Sequence, residues 1–258
     1  MQKATSFILD LELTEIKSLN AQYVLMKFRD ENPLPPMQPG QFAEVRVDGS
    51  PNTYLRRPVS INFVDIERNE VWMLIQIVGD GTKTLAKAQV GDKINMILPL
   101  GKSFTLPQPN EKVLLIGGGV GVAPLLMLGQ QLQELNIPVS FLLGARSAGD
   151  LLELDEFSKY GTVYTTTEDG SAGEKGYVTQ HSLLNTAAFN RIYTCGPKPM
   201  MLSVASYARK HAIECEVSLE NMMACGIGAC LCCVEDTTEG NLCVCKEGPV
   251  FNTNVLKW

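Results

Sequence analysis

Val113-Leu114-Leu115-Ile116-Gly117-Gly118-Gly119-Val120-Gly121-Val122-Ala123-Pro124-Leu125-Leu126-Met127-Leu128 reads as a strand, a glycine-rich turn and a helix in succession. Four apolar residues in a row suit a strand buried on both faces, as in a parallel sheet. Glycines between that strand and a helix let a dinucleotide come close to the helix N-terminus, which makes Gly117, Gly118, Gly119 and Gly121 candidate cofactor contacts. The segment departs from G-x-G-x-x-G because Val122 stands at the third glycine. A tight turn without a ligand is the plainer alternative.

Further apolar runs follow at residues 139–143, 163–165 and 191–194, separated by helical stretches. Alternation of this kind predicts a doubly wound parallel-sheet α/β domain over residues 105–217. The second strand does not end on the usual acid. It runs into Gly144-Ala145-Arg146-Ser147, where Arg146 suits a 2′-phosphate but has no basic companion.

Upstream, residues 1–104 read as strands. Phe7-Ile8-Leu9-Asp10-Leu11-Glu12-Leu13 and Phe42-Ala43-Glu44-Val45-Arg46-Val47 alternate with period two, as half-buried strands do, and residues 72–78 form a further apolar run. Closely spaced turn residues between them predict a small antiparallel β-barrel. Within it, Tyr54-Leu55-Arg56-Arg57-Pro58-Val59-Ser60 pairs a donor fork with an extended proline backbone, a combination able to clamp a phosphate. A solvated strand edge is the alternative. Gly81-Thr82 precedes an expected helix over residues 84–88, a second anion-binding signal.

Downstream, residues 218–258 form a cysteine-rich module. Six of the eight cysteines lie from Cys225 to Cys245, and Cys225, Cys230 and Cys233 are spaced C-x4-C-x2-C, the plant-type 2Fe-2S pattern. Gly226 and Gly228 let the loop turn its amides toward the sulfurs. On spacing alone the fourth ligand stays open between Cys243 and Cys245, and Cys232 could stand in for Cys233. Structural zinc is the competing metal, although it usually takes paired C-x2-C knuckles. Cys195 and Cys215 are expected to pack as small hydrophobes.

The formal charge of −6, with no cluster of Lys and Arg, argues against nucleic-acid binding. The first residues lack a basic start followed by an apolar run, and the most apolar stretch is short for a bilayer and broken by glycine. The expectation is a soluble, cytoplasmic chain with no membrane segment.

In their order along the chain, these motifs resemble the ferredoxin reductase superfamily. That resemblance implies FAD on the barrel, held by Arg57, Pro58, Val59 and Ser60, with Gly81 and Thr82 at its pyrophosphate and Leu74, Ile75 and Gln76 on its adenine side. It also implies NAD at the glycine turn and at Cys195-Gly196-Pro197. Met223-Ala224-Cys225-Gly226-Ile227-Gly228-Ala229-Cys230 and Cys245-Lys246-Glu247-Gly248-Pro249-Val250-Phe251 narrow the match. They resemble the electron transfer subunits of dihydroorotate dehydrogenase B, a resemblance that favours Cys245 as the fourth metal ligand. It implies a flavin and iron-sulfur oxidoreductase subunit of pyrimidine biosynthesis. Its partner would be an FMN-containing dihydroorotate dehydrogenase catalytic subunit, in a heterotetramer of two of each. The alternatives are a ferredoxin- or hydrogenase-linked NAD(P) reductase subunit and a zinc-stabilised binding module.

Overall fold

The computed structural model describes residues 6–258. By its internal contacts the chain forms two compact units. The first contains the residues up to Ser103 together with Asn221–Glu235 and Asn241–Pro249; the second contains Phe104–Glu220, Asp236–Gly240 and Val250–Trp258. Residues 218–258 are therefore shared between the two units.

The first unit is built on β1 (Phe7–Ser18), β2 (Tyr23–Arg29), β3 (Phe42–Val45), β4 (Arg57–Ser60), β5 (Phe63–Asp65) and β6 (Glu70–Gln76), then helix α1 (Asp80–Leu85) and β7 (Lys93–Leu100). The strands form one antiparallel sheet in the order β4-β3-β7-β1-β2-β6-β5. Curled into a half-barrel, it buries Leu11, Leu13, Met26, Phe28, Met73, Met96 and Leu98. Asn20 starts the first hairpin, its side-chain oxygen accepting from the Gln22 and Tyr23 amides. A bulge between Leu13 and Glu15 lets β1 continue to Ser18, well past the alternating stretch in its sequence.

Two expectations change here. The helix begins at Asp80, so Gly81 and Thr82 lie inside its first turn instead of ahead of it. All four residues of β3 are buried, whereas alternation predicts one open face.

The second unit carries β8 (Val113–Gly118), α2 (Ala123–Glu134), β9 (Val139–Ala145), α3 (Leu154–Ser158), β10 (Thr162–Thr167), β11 (Glu174–Lys175), α4 (Leu183–Thr186), β12 (Arg191–Cys195), α5 (Lys198–Lys210) and β13 (Glu214–Ser218). After it come β14 (Val234–Thr237), β15 (Gly240–Cys243), α6 (Val244–Glu247) and β16 (Val250–Asn252). The larger sheet runs β11-β10-β9-β8-β12-β13-β16 and is parallel except for β16. From β8 the chain winds outward to β11, then returns to place β12 on the other side of β8. That reversal is the switch point at which doubly wound sheets bind ligands.

Helix α2 turns Leu125, Leu126, Leu128 and Leu132 into the core. Gly129 makes room for Phe141, whose ring would lie 2.3 Å from an added Cβ. Among the described residues no helix is long and apolar enough to cross a membrane.

Candidate functional site: a thiol loop, an arginine strand and a glycine turn

The loop at Cys225–Cys233 and Cys245 both belong to the first unit, where Cys225 sits beside Cys230 and Cys233 beside Cys245. Gly226 and Gly228 adopt φ of +67° and +78°, and Leu231 shares the left-handed region at +59°. These turns aim backbone amides at sulfur. Gly228 N donates to Cys245 Sγ at 3.1 Å, Ala229 N to Cys225 Sγ at 3.3 Å, Cys232 N to Cys230 Sγ at 3.4 Å, and Cys245 N to Cys233 Sγ at 3.4 Å. Each of the four sulfurs singled out in the sequence thus accepts a backbone N–H.

The thiols also pair by side-chain hydrogen bonds, Cys225 with Cys230 and Cys233 with Cys245. Burial raises the Cys225 thiol, but the Ile227, Cys230 and Ala229 amides and the Cys230 side chain outweigh it and lower it to about 6. Burial, followed by the Cys233 side chain, pushes Cys245 up to about 12. Among the described residues no three His, Cys, Asp or Glu side chains are set as ligands of one ion; the thiols stand as two pairs.

Two contacts fix the segment around Cys245. Glu247 Oε2 accepts from the Cys243 amide at 2.9 Å across α6. The Gly248 carbonyl accepts from Lys102 N at 2.6 Å, just past the end of β7. In this way the Gly248-Pro249 segment is tied to the barrel strand. Cys232 is exposed, and Cys195 and Cys215 are fully buried.

On the barrel, β4 separates the two adjacent arginines. Arg56 Nη1 donates to the carbonyls of Glu44 and Asn95, so it is spent on the sheet. Arg57 reaches the first turn of α1, where a Cβ on Gly81 would come 2.8 Å from its Nε. The missing side chain at Gly81 is what admits the guanidinium, and a planar donor fork beside a helix start suits a diphosphate. Thr82 is committed elsewhere: its Oγ1 accepts from the Val78 and Gly79 amides and caps α1. Pro58, Val59 and Ser60 complete β4. Leu74 and Ile75 are buried in β6, and Gln76 donates to the Tyr23 hydroxyl at 3.3 Å.

In the second unit the glycine turn meets Cys195-Gly196-Pro197 at the switch point. A Cβ on Gly121 would lie 2.4 Å from Gly196 Cα, and one on Gly118 would lie 3.3 Å from Pro197 Cδ. Gly119 has φ of +56°. The Cys195 thiol is raised well above its usual range by burial and lies 3.8 Å from Glu220 Oε1.

Glu44 carries no signal in the sequence that marks it as special. It is fully buried, and among the described residues neither carboxylate oxygen has a hydrogen-bond partner.

The iron-sulfur cluster binding domain of dihydroorotate dehydrogenase B matches residues 220–257, and the oxidoreductase NAD-binding domain matches residues 115–206. A protein of Shouchella clausii named dihydroorotate dehydrogenase B (NAD(+)), electron transfer subunit, is 41% identical over 83% of this chain and 84% of its own. The protein of the same name from Listeria monocytogenes is 41% identical over 86% of this chain and 88% of its own. The chain belongs to this family. The iron-sulfur domain match takes in the thiol loop, and the NAD-binding domain match takes in the glycine turn. A solved structure of the NADH-dependent reduced ferredoxin-NADP oxidoreductase of flavin-based electron bifurcation has the same fold. Its TM-score is 0.86 at 28% identity, over 100% of this chain and 92% of its own.

Proposed function

We propose that this chain is the electron transfer subunit of an NAD-dependent dihydroorotate dehydrogenase, receiving electrons from a catalytic subunit and passing them to NAD+. The observation that carries the reading is the set of four amide-fed sulfurs in a chain of this family. When bound, a 2Fe-2S cluster supplies one-electron exchange, FAD supplies both one- and two-electron exchange, and NAD+ accepts a hydride.

The donor set fits the cluster. Cys225 and Cys230 would hold one iron and Cys233 and Cys245 the other, following the pairing of the thiols. The amides of Gly228, Ala229, Cys232 and Cys245 offset negative charge on the sulfurs and hold them in place. Arg57, beside Gly81, would hold the FAD diphosphate, with Pro58, Val59 and Ser60 along the same strand and Leu74, Ile75 and Gln76 on the adenine side. Thr82 would contribute by capping α1. Gly117, Gly118, Gly119 and Gly121 would receive the NAD diphosphate at the switch point, with Cys195, Gly196 and Pro197 across from them.

The partner would be an FMN-containing catalytic subunit that oxidises dihydroorotate, in a cytoplasmic heterotetramer of two of each. Exposed apolar side chains on the cluster loop and just before it support docking there: Ile227 at 60% and Leu231 at 63% exposure on the loop, and Met222 at 82% ahead of it. A ferredoxin-linked NAD(P) reductase is the second reading, favoured by the bifurcating oxidoreductase structure.

Co-expression with the catalytic subunit tests the first reading, which expects dihydroorotate-dependent NADH formation. Serine at Cys225, Cys230, Cys233 or Cys245 is expected to abolish iron-sulfur absorbance, while serine at Cys232 or Cys243 leaves it. Purified protein lacking flavin and iron-sulfur absorbance would overturn the proposal, and a preference for NADP+ would favour the second reading.

A further inference from the structure

Glu44 lies on β3, opposite Pro58 of the arginine strand on one side and Ile97 of β7 on the other. Its side chain is fully buried, and among the described residues neither carboxylate oxygen has a hydrogen-bond donor. The cluster loop covers it: a Cβ built on Gly226 would come 2.6 Å from Glu44 Cγ and 3.1 Å from Oε1, and the same Cβ would lie 3.1 Å from Leu100. The charged and titratable groups around the carboxyl are Arg56, Cys225 and Arg57.

A buried acid without donors is costly, and an apolar side chain would fill the same space without that cost. Such an orphaned group calls for an explanation, and a redox role is one of the few. Here the acid sits under the residue that follows Cys225. Negative charge in a weakly screened interior disfavours adding an electron nearby.

We propose that Glu44 is a positioning residue of the cluster loop whose carboxylate holds the reduction potential of the cluster down, favouring onward release of its electron. The inference rests on the cluster reading given above. Burial pushes the Glu44 carboxyl up to about 7, against the pull of Arg56. Measurements at pH 9 therefore compare a charged wild-type side chain with neutral replacements.

The test is a redox titration of the purified, cluster-loaded full chain at pH 9, followed by the electron paramagnetic resonance signal of the reduced cluster. Glu44→Gln and Glu44→Met are both expected to raise the cluster midpoint, by about tenfold in the one-electron equilibrium or about 59 mV. Glu44→Asp, which keeps the charge, should stay near wild type. Unchanged midpoints in both neutral variants, with full iron and sulfide, would overturn the proposal. So would loss of the cluster from both variants, with or without loss of flavin, since Glu44 would then serve assembly or folding. Wild-type protein without iron would instead be a failure of the cluster reading.

Discussion

The turn at Gly117–Gly121 and the loop at Gly226–Gly228 both depend on glycine, but for different atoms. In the loop the backbone takes left-handed angles, and the amide of Gly228 is thereby delivered to Cys245 Sγ. In the turn, Gly121 is needed because another piece of backbone occupies the place of its side chain. One glycine supplies a donor and the other leaves a space. Similar sequence texture therefore hides two sensitivities, one to backbone angle and one to volume.

Substitution by alanine separates them. The largest effect is expected at Gly121→Ala, where the new Cβ would meet Gly196 Cα at 2.4 Å, Gly196 N at 2.5 Å and the Cys195 carbonyl carbon at 2.6 Å. Backbone cannot swing aside as a side chain does, so a loss of about 3 kcal/mol is expected in urea unfolding. A loss under about 1 kcal/mol would break the contrast.

Gly228→Ala comes next. Its nearest neighbour is the flexible Lys246 side chain at 2.8 Å, so the cost arises from φ of +78°. About 1–2 kcal/mol is expected, with a change in the visible circular dichroism of the cluster as the amide leaves Cys245. The smallest effect belongs to Gly118→Ala, whose backbone is extended and whose tightest contact is Met200 Sδ at 2.6 Å. Methionine adapts, and less than about 1 kcal/mol is expected from the same unfolding measurement.

The α/β half of the fold was legible because its signal is local. Residues 113–116 form a strand buried on both faces by their own composition, and the glycines mark its end. The cysteine spacing was legible for a similar reason, since C-x4-C-x2-C is a local pattern, and its loop turns the Gly228, Ala229 and Cys232 amides toward sulfur. Helix α1 starts at Asp80, ahead of the Thr84 that its sequence suggests, because Thr82 reads as a turn residue yet closes the first turn from inside.

Glu44 could not be read from the chain alone. In period two it falls on the face expected to meet solvent, and what covers it is Gly226, far along the sequence. The division of labour between Arg56 and Arg57 was equally hidden. It depends on which guanidinium finds the carbonyls of β3 and β7, a matter of register that two neighbouring arginines do not reveal.

The short strand β16 decides which strand lies at the border of the parallel sheet. It lies antiparallel along β13, pairing Val217 with Phe251 and Ser218 with Val250, and so takes the outermost place that β13 would otherwise hold. A strand such as β13, with four of its five residues buried, is an adhesive template when its edge is bare. The residues after Cys245 thus act as a protective selvage for β13. A chain shortened just beyond Cys245 would keep every thiol and still present a sticky border to its neighbours.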